Sequence, residues 1–224
     1  MKIFSIAICR APQRAEKLAR AAAAASAGES KAEDPIILAQ VYDVAEFNFF
    51  QRGSVRQFLT AFTRIFVQRT APGKRLAVEH EGHVVHTWTL TTGLSGCVIC
   101  DQEYPSRVAF SLIRKMLDAF TQEHGNAAGA GAAPAWVSMA EMSVNFAPMG
   151  EAIVSYQDPK QVDKLSKIQE QLDETTQIMH ETIDKVLERG VKLDDLVDRS
   201  ADLSSQSRMF YKTAKKHNSC CTIC

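Results

Sequence analysis

The run DKVLERGVKLDDLVDRS, residues 184–200, lies in the middle of a long alternation of three- and four-residue steps. Such an alternation is the seam of a left-handed coiled coil, in which each seam residue inserts between residues of a facing helix. The central member is Arg189, and a buried guanidinium needs acceptors at the same level on the partner helices. The sequence therefore predicts a helix that assembles with other helices around one polar layer. The seam residues are Leu165, Ile168, Leu172, Thr175, Met179, Thr182, Val186, Arg189, Leu193, Leu196, Ser200, Leu203, Ser207, Phe210, Ala214 and His217.

This seam is too polar to hold a helix together without partners. Thr175, Thr182, Ser200 and Ser207 stand where a self-sufficient coiled coil has leucine or isoleucine. Gly190 costs about 1 kcal/mol relative to alanine in a helix interior. We therefore expect the segment to become helical on binding, as a rod of about 80 Å.

Residues 184–200 resemble the centre of the R-SNARE motif, with Arg189 in its central ionic layer. The resemblance implies that three Q-SNARE helices each supply a glutamine that accepts a hydrogen bond from Arg189. It implies that Val186 and Leu193 shield this layer from water, and that the SNARE disassembly machinery acts on the assembled bundle. His217 occupies the last layer, where a leucine is commoner.

The C-terminal sequence suggests a lipid anchor. Nowhere does the sequence contain an apolar run of about 18 residues, which a membrane-spanning helix requires. It ends in CCTIC, residues 220–224, in which Cys221 is a candidate for prenylation and Cys220 for palmitoylation. A single prenyl chain binds membranes only reversibly, so two lipids are the expected anchor. Cys224 leaves the choice between a farnesyl and a geranylgeranyl group open.

Composition argues against other classes of function. The net charge of zero offers no basic field for nucleic acid. The sequence lacks the GxxxxGK[ST] phosphate loop and a glycine elbow around a nucleophile, so we expect no enzyme and no cofactor. In strands, the spacing of His80, His83 and His86 places them on alternate faces, and so does that of Cys97 and Cys100, which argues against a metal site.

The first 120 residues predict an α/β unit with the element order ββαβββα. Apolar and β-branched runs predict strands at 2–9, 36–42, 75–79, 83–90 and 94–100. Helical periodicity predicts one helix after Ser54 as its N-cap and a second that opens at Pro105 and Ser106. The predicted buried faces are Val55, Phe58, Leu59, Phe62, Ile65 and Phe66 in the first helix, and Val108, Leu112, Ile113, Met116, Leu117 and Phe120 in the second.

This order, with EFNFFQRGSVRQF at 46–58 and YPSRVAF at 104–110, resembles the longin domain of prenylated R-SNAREs. The resemblance implies an α+β fold: a profilin-like domain with a five-stranded antiparallel sheet flanked by helices, followed by a C-terminal SNARE coiled-coil helix. We expect the longin domain at 1–145, with low-complexity inserts near 11–34 and 124–135. Residues from about 136 to 160 are expected to add a short third helix and a linker, the linker at 146–160. The SNARE motif at 161–218 and a lipidation tail at 219–224 follow.

The implied function is that of an R-SNARE in ER–Golgi, endosomal or vacuolar transport. The longin domain is expected to fold back on the SNARE motif and shelter the prenyl group, so that the protein cycles between cytosol and the cytoplasmic face of Golgi, endosomal or vacuolar membranes. Phe47, Phe49, Phe50 and Phe58 are candidates for that covering surface or for ordinary core. A longin-bearing adaptor or tether is the alternative; a homodimeric scaffold would oppose Arg189 to itself.

Overall fold

The computed structural model describes residues 1–12, 34–125, 133–158, 178–187 and 191–220, so most of both low-complexity inserts lies outside the described residues. Six strands are formed, β1 Ile3–Arg10, β2 Ile36–Tyr42, β3 Lys74–His80, β4 His83–Thr89, β5 Leu94–Asp101 and β6 Ile178–Thr182. The helices are α1 Phe49–Arg69, α2 Ser106–His124, α3 Ala147–Ser155, α4 Ile183–Val186, α5 Leu193–Arg199 and α6 Ser205–Cys220. A 3₁₀ turn covers Ala135–Ser138. The predicted ββαβββα order of the first 120 residues is confirmed.

The strands form one sheet in the order β2-β1-β5-β4-β3-β6. The first five pair antiparallel, as expected for the longin-type sheet. The sixth strand was not predicted: Ile178–Thr182 comes from the SNARE-like segment and pairs in parallel with β3. The sheet is therefore mixed and six-stranded, because the C-terminal segment occupies the free edge of the domain.

Successive side chains of a strand point to opposite faces of the sheet, so the core consists of two clusters, one on each face. In β1, Ile6 and Ile8 belong to the cluster under α2 and α3, whereas Ala7 and Cys9 belong to the cluster under α1. All six predicted apolar residues of α2 are buried. The contact between α2 and β5 is close at Gly96, where an added Cβ would lie 2.6 Å from Ile113 Cγ2.

Helix α1 begins earlier than predicted. Asn48, not Ser54, is its N-cap and accepts a hydrogen bond from the Phe50 amide at 3.4 Å. The Arg52 guanidinium donates to the carbonyl oxygens of Ala45 and Phe47, which fixes the preceding turn. Ser54 consequently lies inside the helix, where it is buried and free to contact another segment.

The packed N-terminal domain extends past the predicted boundary at residue 145. Phe146, Met149, Ile153 and Tyr156 are buried in the cluster under α2. Tyr104 Oη donates to the Tyr156 carbonyl oxygen at 2.9 Å. The first part of the predicted linker therefore belongs to the core, since α3 covers apolar surface that α2 leaves open.

The C-terminal segment folds back on the domain instead of extending as a rod. Within 178–187 and 191–220 it forms β6 and three helices, of which α6 is the longest. A weak seam explains this, because a segment with few large apolar seam residues gains more by packing on a preformed apolar surface. No helix in the described ranges is long and apolar enough to cross a membrane.

Candidate functional site

An apolar groove lies between α1, the sheet and the folded-back segment. We call it the α1 groove, and it contains a cavity of about 260 Å³. Its lining is almost entirely apolar, because α1 turns its aromatic stripe towards the sheet and the C-terminal segment closes the remaining side. The domain contributes Phe4, Phe47, Val55, Phe58 and Phe62 among others, and the segment contributes Ile183, Phe210 and Tyr211.

Aromatic rings line the groove, and one contact between them joins α1 to the C-terminal segment. The ring of Phe58 lies 5.6 Å from that of Tyr211 and 6.2 Å from that of Phe62, measured between centroids. The ring of Phe47 lies 6.0 Å from that of Phe4 at the far end. Aromatic pairs with ring centroids at such distances are favourable beyond the area that they bury.

The four candidate phenylalanines separate into two pairs. Phe47 and Phe58 line the groove, so they belong to the covered surface. Phe49 and Phe50 do not: their side chains are 76% and 85% exposed and contact each other edge to face. The difference follows from the start of α1, which places these two residues in its first turn, outside the groove.

A polar cluster lies between α1 and the start of α6. The Ser207 hydroxyl is buried and lies 2.8 Å from Gln57 Oε1 and 2.9 Å from Ser54 Oγ. The amide of Ser204 donates to the same Gln57 oxygen at 2.9 Å. These contacts fix the start of α6 against α1.

A partly buried ion pair holds the segment between α5 and α6. Arg64 of α1 donates through Nε to Asp202 Oδ2 at 2.8 Å, and its side chain is 17% exposed. The same guanidinium contacts Glu141 and the Pro35 carbonyl oxygen. One side chain of α1 therefore connects the C-terminal segment to two loops of the domain.

Helix α6 is also tied to α5. Tyr211 Oη donates to Asp194 Oδ1 at 2.9 Å, and Lys215 Nζ donates to Asp194 Oδ2 at 2.6 Å. The hydrogen bond from Lys215 lowers the pKa of Asp194. Burial raises the pKa of Tyr211, and its bond to the Asp194 carboxylate acts in the same direction. The phenol therefore stays protonated and remains a donor to Asp194.

Two histidines stand at the rim of the groove, in the β3–β4 hairpin. His80 pairs with His83 across a turn at Glu81 and Gly82, both with positive φ. The His83 ring lies 5.2 Å from Phe4, and burial lowers the pKa of His80. His86 lies on the opposite face of the sheet, so the three do not converge.

His86 belongs to a buried polar cluster. Its Nε2 lies 3.1 Å from Ser106 Oγ and its Nδ1 lies 3.5 Å from Cys100 Sγ. Burial lowers the pKa of His86 to about 3 and raises that of the Cys100 thiol. Cys97 packs in the cluster on the other face, as its spacing from Cys100 predicts. Among the described residues, no group of three or more His, Cys, Asp or Glu could hold a metal ion.

The seam residues do not share one face in this structure. Leu193, Leu203 and Ser207 are buried against the domain, and Met179 and Thr182 are exposed. Val186, Leu196, Ser200 and Phe210 are partly buried, and Ala214, His217 and Cys220 belong to α6. Arg189, Cys221 and the seam residues Leu165, Ile168, Leu172 and Thr175 lie outside the described residues.

Sequence reasoning missed three residues that carry the fold-back. Ile183, Leu187 and Val197 are 8%, 5% and 1% exposed, yet none is a seam residue. The sequence does contain a signal for their burial, because each is an aliphatic residue directly after a seam position, where coiled coils commonly have a polar side chain.

Comparison with known proteins matches both parts of the chain. The family model described as Synaptobrevin matches residues 164–222, and that described as Regulated-SNARE-like domain matches residues 44–149. The "Synaptobrevin homolog ykt6" of Schizosaccharomyces pombe is 44% identical over 187 residues, which is 84% of this chain and 91% of that protein. The "VAMP-like protein YKT61" of Arabidopsis thaliana is 46% identical over 194 residues, 86% of this chain and 93% of that one. The "Synaptobrevin homolog YKT6" of Candida glabrata is 39% identical over 225 residues and the full length of both chains.

Proposed function

Since the chain belongs to the longin-domain R-SNAREs related to synaptobrevin, we propose that its fold-back is the resting state of a regulated fusion protein. An R-SNARE acts in vesicle trafficking by assembling with other SNARE helices and is not an enzyme.

The observation that carries the proposal is the shared use of seam residues. Leu193, Leu203 and Ser207 are buried against the domain, and the same three side chains would point into the core of a helical bundle. One side chain cannot occupy both places, so the folded-back state and the bundle exclude each other. The longin domain therefore restrains assembly by competing for the seam.

Release requires a difference in free energy between the two states. Only a ligand or modification that stabilises the open state more than the closed one shifts the balance. Three partner helices meet this condition, because they bind only the released seam and bury its apolar layers on assembly. In the proposed bundle Arg189 forms the ionic layer, and each of three Q-SNARE helices contributes one glutamine. The disassembly machinery would then return the chain to its closed state.

The lipid proposal concerns the α1 groove and the tail. A prenyl chain on Cys221 is an apolar group that water-exposed protein surface does not accommodate well. The apolar lining and the cavity of about 260 Å³ support the groove as its shelter in the closed state. Palmitoylation of Cys220 would add the second lipid that stable membrane residence requires. The closed form would be cytosolic and the open form bound at the cytoplasmic face of Golgi, endosomal or vacuolar membranes.

Partner capture tests the assembly proposal. Full-length chain is used to capture proteins from detergent-solubilised native cells, with the Arg189→Asp variant in parallel, and mass spectrometry identifies what binds. Recovery of three helices with a central glutamine, lost with the variant, is the expected result. Recovery of coat or tether proteins alone, unaffected by the substitution, would contradict fusion and favour an adaptor.

Fractionation tests the anchor. The Cys221→Ser variant is expected in the cytosolic fraction, because the prenyl chain is the first of the two lipids. Persistent membrane attachment of this variant would refute the proposed anchor. Cys9→Ser serves as the control, since Cys9 is buried in the sheet and offers no accessible thiol.

A further inference from the structure

The apolar residues that follow the seam have a regular spacing. If the seam is written as positions a and d of a heptad, Thr182, Leu196 and Phe210 are d positions, and Ile183, Val197 and Tyr211 are the e positions after them. These three e residues are two heptads apart. The e positions between them are Gly190 and Ser204, so the large apolar side chains occur at every second e position.

At two of the three positions the structure buries the e residue more deeply than the d residue beside it, whereas Tyr211 and Phe210 are both partly buried. Val197 is 1% exposed, whereas Leu196 is only partly buried. Ile183 is 8% exposed, whereas Thr182 is exposed. Tyr211 packs its ring on Phe58 at 5.6 Å. All three contact the α1 side of the domain.

In a parallel bundle the requirements are different. Positions a and d fill the core, while e positions flank it and usually carry charged residues. A bundle therefore does not need apolar side chains at 183, 197 and 211. The fold-back does, because α4, α5 and α6 each place one of them against the domain.

We propose that Ile183, Val197 and Tyr211 form an e-position latch that serves the closed state alone, separate from the seam that serves the bundle. This inference rests on the proposed competition between fold-back and assembly. It identifies which part of the interface sets the closed-to-open ratio without setting bundle stability. A substitution in the latch can change the closed-to-open ratio without changing the stability of the bundle, whereas a substitution in the shared seam affects both.

Two neighbouring substitutions separate the roles. Val197→Gln removes a latch residue and Leu196→Gln removes a seam residue, and glutamine is a good helix former at both positions. Hydrogen exchange of full-length, unlipidated chain reports closure through the amides of 193–199 and 205–213. Melting of the bundle formed with the captured partner helices reports the seam.

For Val197→Gln we expect a rise of about 10- to 100-fold in the open-to-closed ratio, as for loss of one fully buried valine, with the bundle melting as in the wild type. For Leu196→Gln we expect a smaller effect on exchange and a clear fall in bundle melting temperature. Unchanged exchange in Val197→Gln would overturn the latch. So would a fall in bundle melting temperature equal to that of Leu196→Gln.

A failure of the assembly proposal can be distinguished from a failure of the latch. If the wild-type chain forms no bundle with any glutamine-bearing helix, the fusion role fails. The exchange measurement still decides whether Val197 holds the fold-back. Exchange of α2, on the far face of the sheet, serves as the internal control for a folded domain in both variants.

Discussion

Replacement of Phe58 by alanine should open the folded-back state while leaving the domain folded. Phe58 is a partly buried residue of α1 whose main contact with the C-terminal segment is the ring of Tyr211, 5.6 Å away. An aromatic pair contributes about 0.5–1.5 kcal/mol beyond its buried area. With the apolar area lost between α1 and α6, the fold-back should weaken by about 1–2 kcal/mol. The open-to-closed ratio should therefore rise about 5- to 30-fold.

The matched control is Phe50→Ala, because Phe50 belongs to the same helix but is 85% exposed and lies outside the groove lining. Its effect should stay within about 0.5 kcal/mol, as is usual for surface substitutions. Hydrogen exchange of 205–213 in full-length chain measures opening, and exchange of α2 reports whether the domain remains folded. Equal exchange in the two variants, or wild-type protection in Phe58→Ala, would refute the role assigned to the groove.

Three further predictions concern other contacts. Ser207→Val removes the hydroxyl near Gln57 and Ser54, so exchange of α6 should rise several-fold while the melting temperature of the bundle rises, because valine suits a seam position. Asp202→Asn breaks the partly buried pair with Arg64 and should raise opening a few-fold in low salt, whereas Asp198→Asn, which breaks an exposed pair with Lys212, should not. The His86 imidazole binds a proton near pH 6.5 in the unfolded chain, whereas burial lowers its pKa to about 3 in the folded chain. The unfolded state therefore gains protons first, and the free energy of unfolding should fall as the pH drops below 6.5, by about 2 kcal/mol at pH 5. Urea unfolding at neutral pH and at pH 5 should show this loss of stability, and a His86→Gln variant should lack most of the loss.

The domain could be predicted because its apolar residues repeat with the period of the elements that they form. The α2 face from Val108 to Phe120 and the strands at 94–100 and 36–42 follow directly from such patterns. The start of α1 could not, because Ser54 and Asn48 are both acceptable caps by residue type, and the choice depends on the Arg52 contacts of the preceding turn.

The fold-back was expected from resemblance, but its geometry was not predictable. Residues 178–182 have the spacing of a helical seam, and they form a strand only because the edge of β3 offers unpaired backbone groups. Likewise Phe49 and Phe58 have the same residue type, and only the tertiary position of α1 exposes one and covers the other. The periodic pattern of the segment predicts how its residues pack in a helical bundle. Which of these residues are buried in the closed chain depends instead on contacts with a surface that is distant in the sequence.

The parallel pairing of β6 with β3 has a mechanical consequence. Five residues of β6 pair with Arg75 to Glu79, and they lie at the N-terminal side of the described part of the segment. If assembly proceeds from Leu165 towards His217, tension reaches this strand at one end, so its hydrogen bonds break one after another instead of all at once. Each broken bond bares more of the β3 edge, which is a template for pairing with other chains. A chain that opens without partners would thus be prone to self-association through the β3 edge that β6 covers in the closed state.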